Sequence, residues 1–92
     1  MERAAILADL KSMMREYMSA EDQSKLDAMT DDTNLFNELS IDSIDLVDIV
    51  IQVENRYGIE IKNEAISGLN TLGKCLDAIQ ARLAEKEKNS PG

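Results

Sequence analysis

Ninety-two residues suffice for one small domain with a modest core and leave no room for a second. The chain has no histidine and a single cysteine, which excludes an internal disulfide, a His/Cys zinc site and any nucleophile activated by histidine. Hydrophobic residues make up 43 %, as in globular proteins, and with two tyrosines, one phenylalanine and one proline the Leu-, Ile-, Ala- and charge-rich remainder predicts an all-α fold.

The first predicted element is a helix over residues 2–18, with Ile6, Leu10, Met13, Met14 and Tyr17 on one stripe. Met1, Glu2 and Arg3 lead into this amphipathic stretch and not into an apolar run, and no run approaches a membrane span. A soluble, cytoplasmic protein is expected. Residues 19–40 read as a long, polar, acidic connection with a turn around residues 24–29. Leu35, Phe36 and Leu39 are its apolar anchors.

The strongest helix spans residues 42–57. Asp42 is a good N-cap, Asp45 stands three positions later as in a capping box, and Gly58 closes the helix. Ile59, Glu60 and Ile61 follow in a loop, and Asn63 is placed to cap a single turn through Ile66 that stops at Gly68. Thr71 caps a last helix in which Leu72, Cys75, Leu76, Ile79 and Leu83 share a face, making Cys75 a core residue. Residues 85–92 are polar and read as a flexible tail, so the domain is expected over residues 1–84.

Charge is unevenly placed. The net charge is −8, and residues 21–48 carry nine acids against Lys25 alone. Such a patch repels nucleic acid and draws basic partners. It surrounds a helix with two apolar faces. Leu46, Ile49, Val50, Val53 and Tyr57 form one stripe, enough to bury the helix, whereas Ile44, Val47 and Ile51 lie on another side among Asp48, Glu54 and Asn55. Aliphatics ringed by acids suit a docking surface; the alternative is that the 19–40 connection covers them. Ser43 opens this helix. A serine there is ordinarily a first-turn residue, but the free N–H groups and positive dipole end would also tolerate a phosphodiester on its hydroxyl.

Leu39-Ser40-Ile41-Asp42-Ser43-Ile44-Asp45, followed by Leu46-Val47-Asp48-Ile49-Val50, resembles the phosphopantetheine attachment site of acyl carrier proteins, where an Asp-Ser-Leu-like core opens an acidic helix. The similarity extends through residues 54–61 and to Asn70-Thr71-Leu72. It implies a four-helix bundle of the acyl-carrier type, monomeric, with three longer helices, one short helix and a long first loop. It implies that Ser43 accepts 4′-phosphopantetheine from coenzyme A through a phosphopantetheinyl transferase, with Asp42 helping to position that chemistry. The arm's thiol then carries acyl intermediates as thioesters to the enzymes of fatty-acid, specialised lipid or polyketide biosynthesis. By the same match, Asp45, Asp48 and Glu54 meet basic docking patches on transferring and chain-extending enzymes, with Ile44, Val47 and Ile51 packing between them. The acyl chain is expected between Leu46, Ile49, Val50 and Val53 and the residues around Ile66 and Leu76. Ser40 replaces a common glycine, Ile44 a leucine, Lys62 a proline and Asn55 an acid, which raises a specialised carrier beside a housekeeping one.

Other classes fit less well. Asp31, Asp32, Asn34, Glu38, Asp42 and Asp45 suggest a calcium loop, but no glycine lies between Met1 and Tyr57, so no metal site is expected. An unmodified, acidic helical adaptor shares the rim and the second apolar face but leaves the Asp42-Ser43 pattern unexplained. No nucleophile–base pair supports intrinsic catalysis, so no enzyme and no catalytic residue is expected.

Overall fold

Apolar periodicity and capping residues produce the helices α1 (Arg3–Arg15), α2 (Ser24–Asp27), α3 (Ser43–Tyr57), α4 (Asn63–Ile66) and α5 (Leu72–Lys88). They are seen in a computed structural model that describes residues 2–39 and 41–88. The three longer helices form the bundle: α1 packs on α3 and α5, and α4 packs on α3. The short helix and the long first loop stand where expected, and α2 adds one turn of helix inside that loop. Among the described residues, no helix is long and apolar enough to cross a membrane.

On α1, Ile6, Leu10, Met13 and Met14 are buried. The helix stops at Arg15, short of residue 18, because the chain tightens: the Tyr17 amide donates to the Met14 carbonyl (3.0 Å) and Met18 to Arg15 (3.4 Å). Tyr17 is half-buried at the core's edge, its hydroxyl accepting from Gln52 Nε2 at 2.9 Å.

The long connection is tied down at both ends. Leu26 and Leu35 are fully buried, and Leu39 and Ile41 nearly so. Its backbone also satisfies the first amides of α5, which no helical carbonyl can reach. Leu72 N–H donates to the Thr33 carbonyl (3.1 Å) and Gly73 N–H to that of Asp31 (2.9 Å). Thr71 Oγ1 accepts from Lys74 N–H at 3.3 Å, the cap expected from sequence. Arg3 strengthens the junction by reaching both Asp31 (3.0 Å) and Asp77 (2.9 Å).

Asp42 caps α3, its Oδ1 accepting the Asp45 amide at 2.8 Å. Ile41 before the cap and Leu46 four positions into the helix are both buried, the placement of a hydrophobic staple. Gly58 ends α3 in the left-handed region at φ 65°, its amide bonded to the Glu54 carbonyl at 2.8 Å. Lys86 Nζ donates to the Tyr57 carbonyl at 2.6 Å.

The start of α4 differs from expectation. Lys62 occupies the cap position without a side-chain bond, and Asn63 is the first helical residue. The Lys62 carbonyl accepts the Ala65 amide at 2.9 Å, which opens the turn one residue earlier and leaves the Asn63 side chain to line a groove. At the other end, α5 continues to Lys88, so residues 85–88 of the polar stretch are helical, steadied by an Arg82–Glu85 pair at 2.8 Å. Ser40 and residues 89–92, the rest of the expected tail, lie outside the described residues.

Candidate functional site

Ser43 is the first residue of α3 and is exposed. The Asp42 cap fixes where the helix begins, and so places the hydroxyl at the positive end of the α3 dipole. Ser43 also stands at the lip of a groove of about 460 Å³ between α3, α4 and the long connection. Phe36, Leu46, Val47 and Ile66 give the groove an apolar floor, and Ser43, Asn63 and Ser67 give it a polar edge. A larger hollow of about 500 Å³ lies between α1 and α3, lined by charged and polar groups such as Asp9, Glu16, Gln52 and Arg56, and does not include Ser43.

The second apolar face of α3 is open. Ile44, Val47 and Ile51 are 73 %, 40 % and 46 % exposed, so the described part of the connection, residues 19–39, does not bury them. Asp48 and Asn55 beside them are exposed, and Asp45 is half-buried with its amide taken by Asp42. Glu54 is less free than the sequence suggests: it is half-buried, and its Oε2 accepts the Ile61 amide at 3.0 Å.

The residues expected around an acyl chain divide between two spaces. Leu46, Ile49, Val50 and Val53 line a closed space of about 10 Å³ inside the bundle, together with Leu10, Met14, Ile61, Leu69, Cys75 and Ile79. Ile66 faces the outer groove, and Leu76 is packed in the core at 1 % exposure. Leu46 lines both spaces and stands between them. Cys75 is buried as expected, and burial pushes its thiol up to about 12, so it stays protonated and unreactive in the closed bundle.

Sequence reasoning did not single out Asn63 or Ser67 as groove residues, nor Phe36 as more than an anchor. They come from separate segments and converge only through the packing of α4 on α3.

The family described as the phosphopantetheine attachment site matches residues 8–79. The acyl carrier protein of Coprothermobacter proteolyticus is 31 % identical over 86 residues, covering 94 % of this chain and 100 % of the relative. The meromycolate extension acyl carrier protein of Mycolicibacterium aurum is 32 % identical over 75 residues, 82 % of this chain and 73 % of the relative. Among solved structures, the hexanoyl acyl carrier protein of the actinorhodin polyketide synthase from Streptomyces coelicolor is similar with a TM-score of 0.72. It is 28 % identical, and the match covers 85 % of this chain and 90 % of that one.

Proposed function

Because the chain belongs to the acyl carrier protein family, and so carries acyl groups on covalent 4′-phosphopantetheine for fatty-acid or polyketide synthesis, we propose that Ser43 bears the arm. The observation that carries this is the position of an exposed serine at the start of α3, on the lip of the 460 Å³ groove. A phosphodiester there faces the positive end of the helix dipole, and the arm begins beside a partly apolar hollow. In attachment, a bond forms between Ser43 Oγ and the phosphorus of the arm as the pyrophosphate link of coenzyme A breaks and the adenosine bisphosphate leaves. The hydroxyl proton needs a base. The chain has no histidine, so a phosphopantetheinyl transferase supplies it, while Asp42, whose Oδ1 accepts the Asp45 amide, holds the helix start in place.

The chain offers its partners a hydrophobic centre of Ile44, Val47 and Ile51 and an acidic rim of Asp45, Asp48 and Glu54. Basic patches on synthase enzymes complement that rim. The bound acyl chain first meets Phe36, Leu46, Val47 and Ile66 in the groove, and the inner space behind Leu46 is its continuation. The chain acts as a cytoplasmic monomer whose carrier domain runs from α1 through the end of α5 at Lys88. An unmodified adaptor would share the rim but has no use for the groove beside Ser43.

Intact mass after incubation with coenzyme A and a broad-specificity transferase tests the assignment. The wild type should gain one phosphopantetheine and Ser43→Ala none. A gain on both, or on neither when a control carrier is modified, would count against Ser43.

A further inference from the structure

The space inside the bundle, about 10 Å³, is at the lower end of what one water requires, ~10–15 Å³, so a carbon chain enters only if a wall moves. Most of the walls belong to α1, α3 and α5. The exceptions are Ile61 and Leu69, one on each side of α4. The segment 59–70 is therefore the movable wall. Its helix is only four residues long and has no fully buried residue of its own; Ile61 and Leu69 are the segment's buried anchors, with Ile59 and Ile66 half-buried against the core.

Glu54 fastens one end of that wall. Its carbonyl accepts the Gly58 and Ile59 amides at 2.8 and 3.2 Å, and its side-chain Oε2 reaches forward to the Ile61 amide at 3.0 Å. At the other end the Asn70 carbonyl accepts the Leu35 amide at 2.9 Å beside the antiparallel bridge of Asn34 with Thr71, so this end is held to the long connection and serves as the hinge. The Leu69 carbonyl accepts the Cys75 Sγ–H, a weak donor, at 3.7 Å. The Ile61 amide's bond to the Glu54 carboxylate is charge-assisted and made by a side chain, which can let go without unwinding α3, so the Glu54 end is the one that can be released.

We propose that Glu54 is a positioning residue, a latch whose carboxylate holds the 59–70 wall shut over the inner space and whose release admits the acyl cargo. Only the identity of the cargo rests on the carrier reading. The latch belongs to the unmodified chain and can be tested there.

Cys75 reports the opening. It is the only thiol before an arm is attached, it lines the inner space, and it is 5 % exposed. N-ethylmaleimide therefore reaches it only when the wall opens. Labelling of the unmodified protein, followed by intact mass, should be about tenfold faster for Glu54→Ala, the change in open population expected from losing one bond to a charged acceptor. Glu54→Gln keeps an oxygen that accepts from Ile61 and should label within about threefold of the wild type. Exchange of the Leu10 amide in α1 should be unchanged in both, marking the opening as local. Labelling of Glu54→Ala at the wild-type rate, equal acceleration by both variants, or a matching acceleration at Leu10 would each overturn the latch. None of these results depends on whether Ser43 takes the arm, which the mass measurement with coenzyme A decides separately.

Discussion

The Tyr57 hydroxyl donates to the Asp9 carboxylate, joining the end of α3 to the middle of α1, and Arg56 Nε meets the same oxygen at 3.1 Å. Burial, and then the bond to Asp9, push the Tyr57 phenol up to about 12. The hydroxyl, aided by Arg56, holds the Asp9 carboxyl below its ordinary value. Because the folded phenol keeps its proton beyond the unfolded value of 10.0, its contribution to stability is whole below that pH and is lost as pH rises through about 12. Asp9 works at the acid end, contributing fully above its unfolded 3.8 and losing that contribution as pH falls through the lowered value. Asp9→Asn should bring the Tyr57 titration down from about 12 in an absorbance titration and blunt the alkaline loss of stability. An unmoved titration would mean that burial alone sets the phenol.

Gly73 is predicted to resist a substitution that normally helps helices. Replacing a helix-interior glycine by alanine typically gains ~1 kcal/mol. Here an added Cβ would stand 3.0 Å from both the Cβ and the carbonyl oxygen of Asp31, the same carbonyl that accepts the Gly73 amide. Gly73→Ala should therefore lower stability by about 1 kcal/mol or more, read as a lower urea midpoint at unchanged slope. Gly68→Ala, which meets the Ala65 carbonyl at 3.6 Å, is the control and should shift the midpoint little. A rise in the midpoint for Gly73→Ala would show that the connection yields at Asp31.

These two sites also show where the sequence was legible. The stripes of α1, α3 and α5 could be read because burial repeats with the helical period: Leu46, Ile49, Val50 and Val53 are buried, as their spacing predicts. Asp42, Gly58 and Thr71 could be read because capping is local chemistry. Leu26 and Ile41 are as deeply buried as any stripe residue, yet they lie where no period exists to reveal them. Asn63 has the side chain of a cap, but the Lys62 carbonyl starts the turn one residue earlier. The helical run beyond Ala84 looked like a tail because its stabilising contacts are charged and one is distant, the Lys86 bond to the Tyr57 carbonyl. The groove beside Ser43 had no signature, since Phe36, Ser43 and Asn63 meet only in three dimensions.

The Asp42 cap has a measurable value of its own. Its side chain takes the Asp45 amide at 2.8 Å, and Asp42→Ala leaves that amide to water. A loss of ~1 kcal/mol is expected. Asp42→Asn, which still accepts the bond, should restore most of that stability. If Asp42 also assists attachment through its charge, the asparagine variant should fold well but take up phosphopantetheine more slowly, and equal rates would confine Asp42 to capping.

The exposed aliphatics of α3 give a prediction in which folding and function separate. Ile44 is 73 % exposed, so Ile44→Ser removes almost nothing from the core and should change stability by less than about 0.5 kcal/mol. Leu46, two positions on and 2 % exposed, should cost ~2–5 kcal/mol when cut to alanine. If Ile44, Val47 and Ile51 form the centre of the docking face, Ile44→Ser on the loaded carrier should raise KM for a chain-extending synthase by about tenfold, with kcat little changed. Because Asp45 and Asp48 remain, added salt should weaken the wild type and the variant in parallel. An unchanged KM would move docking off this face, and loss of the salt dependence in Ile44→Ser would mean that the serine had also displaced the acids around it.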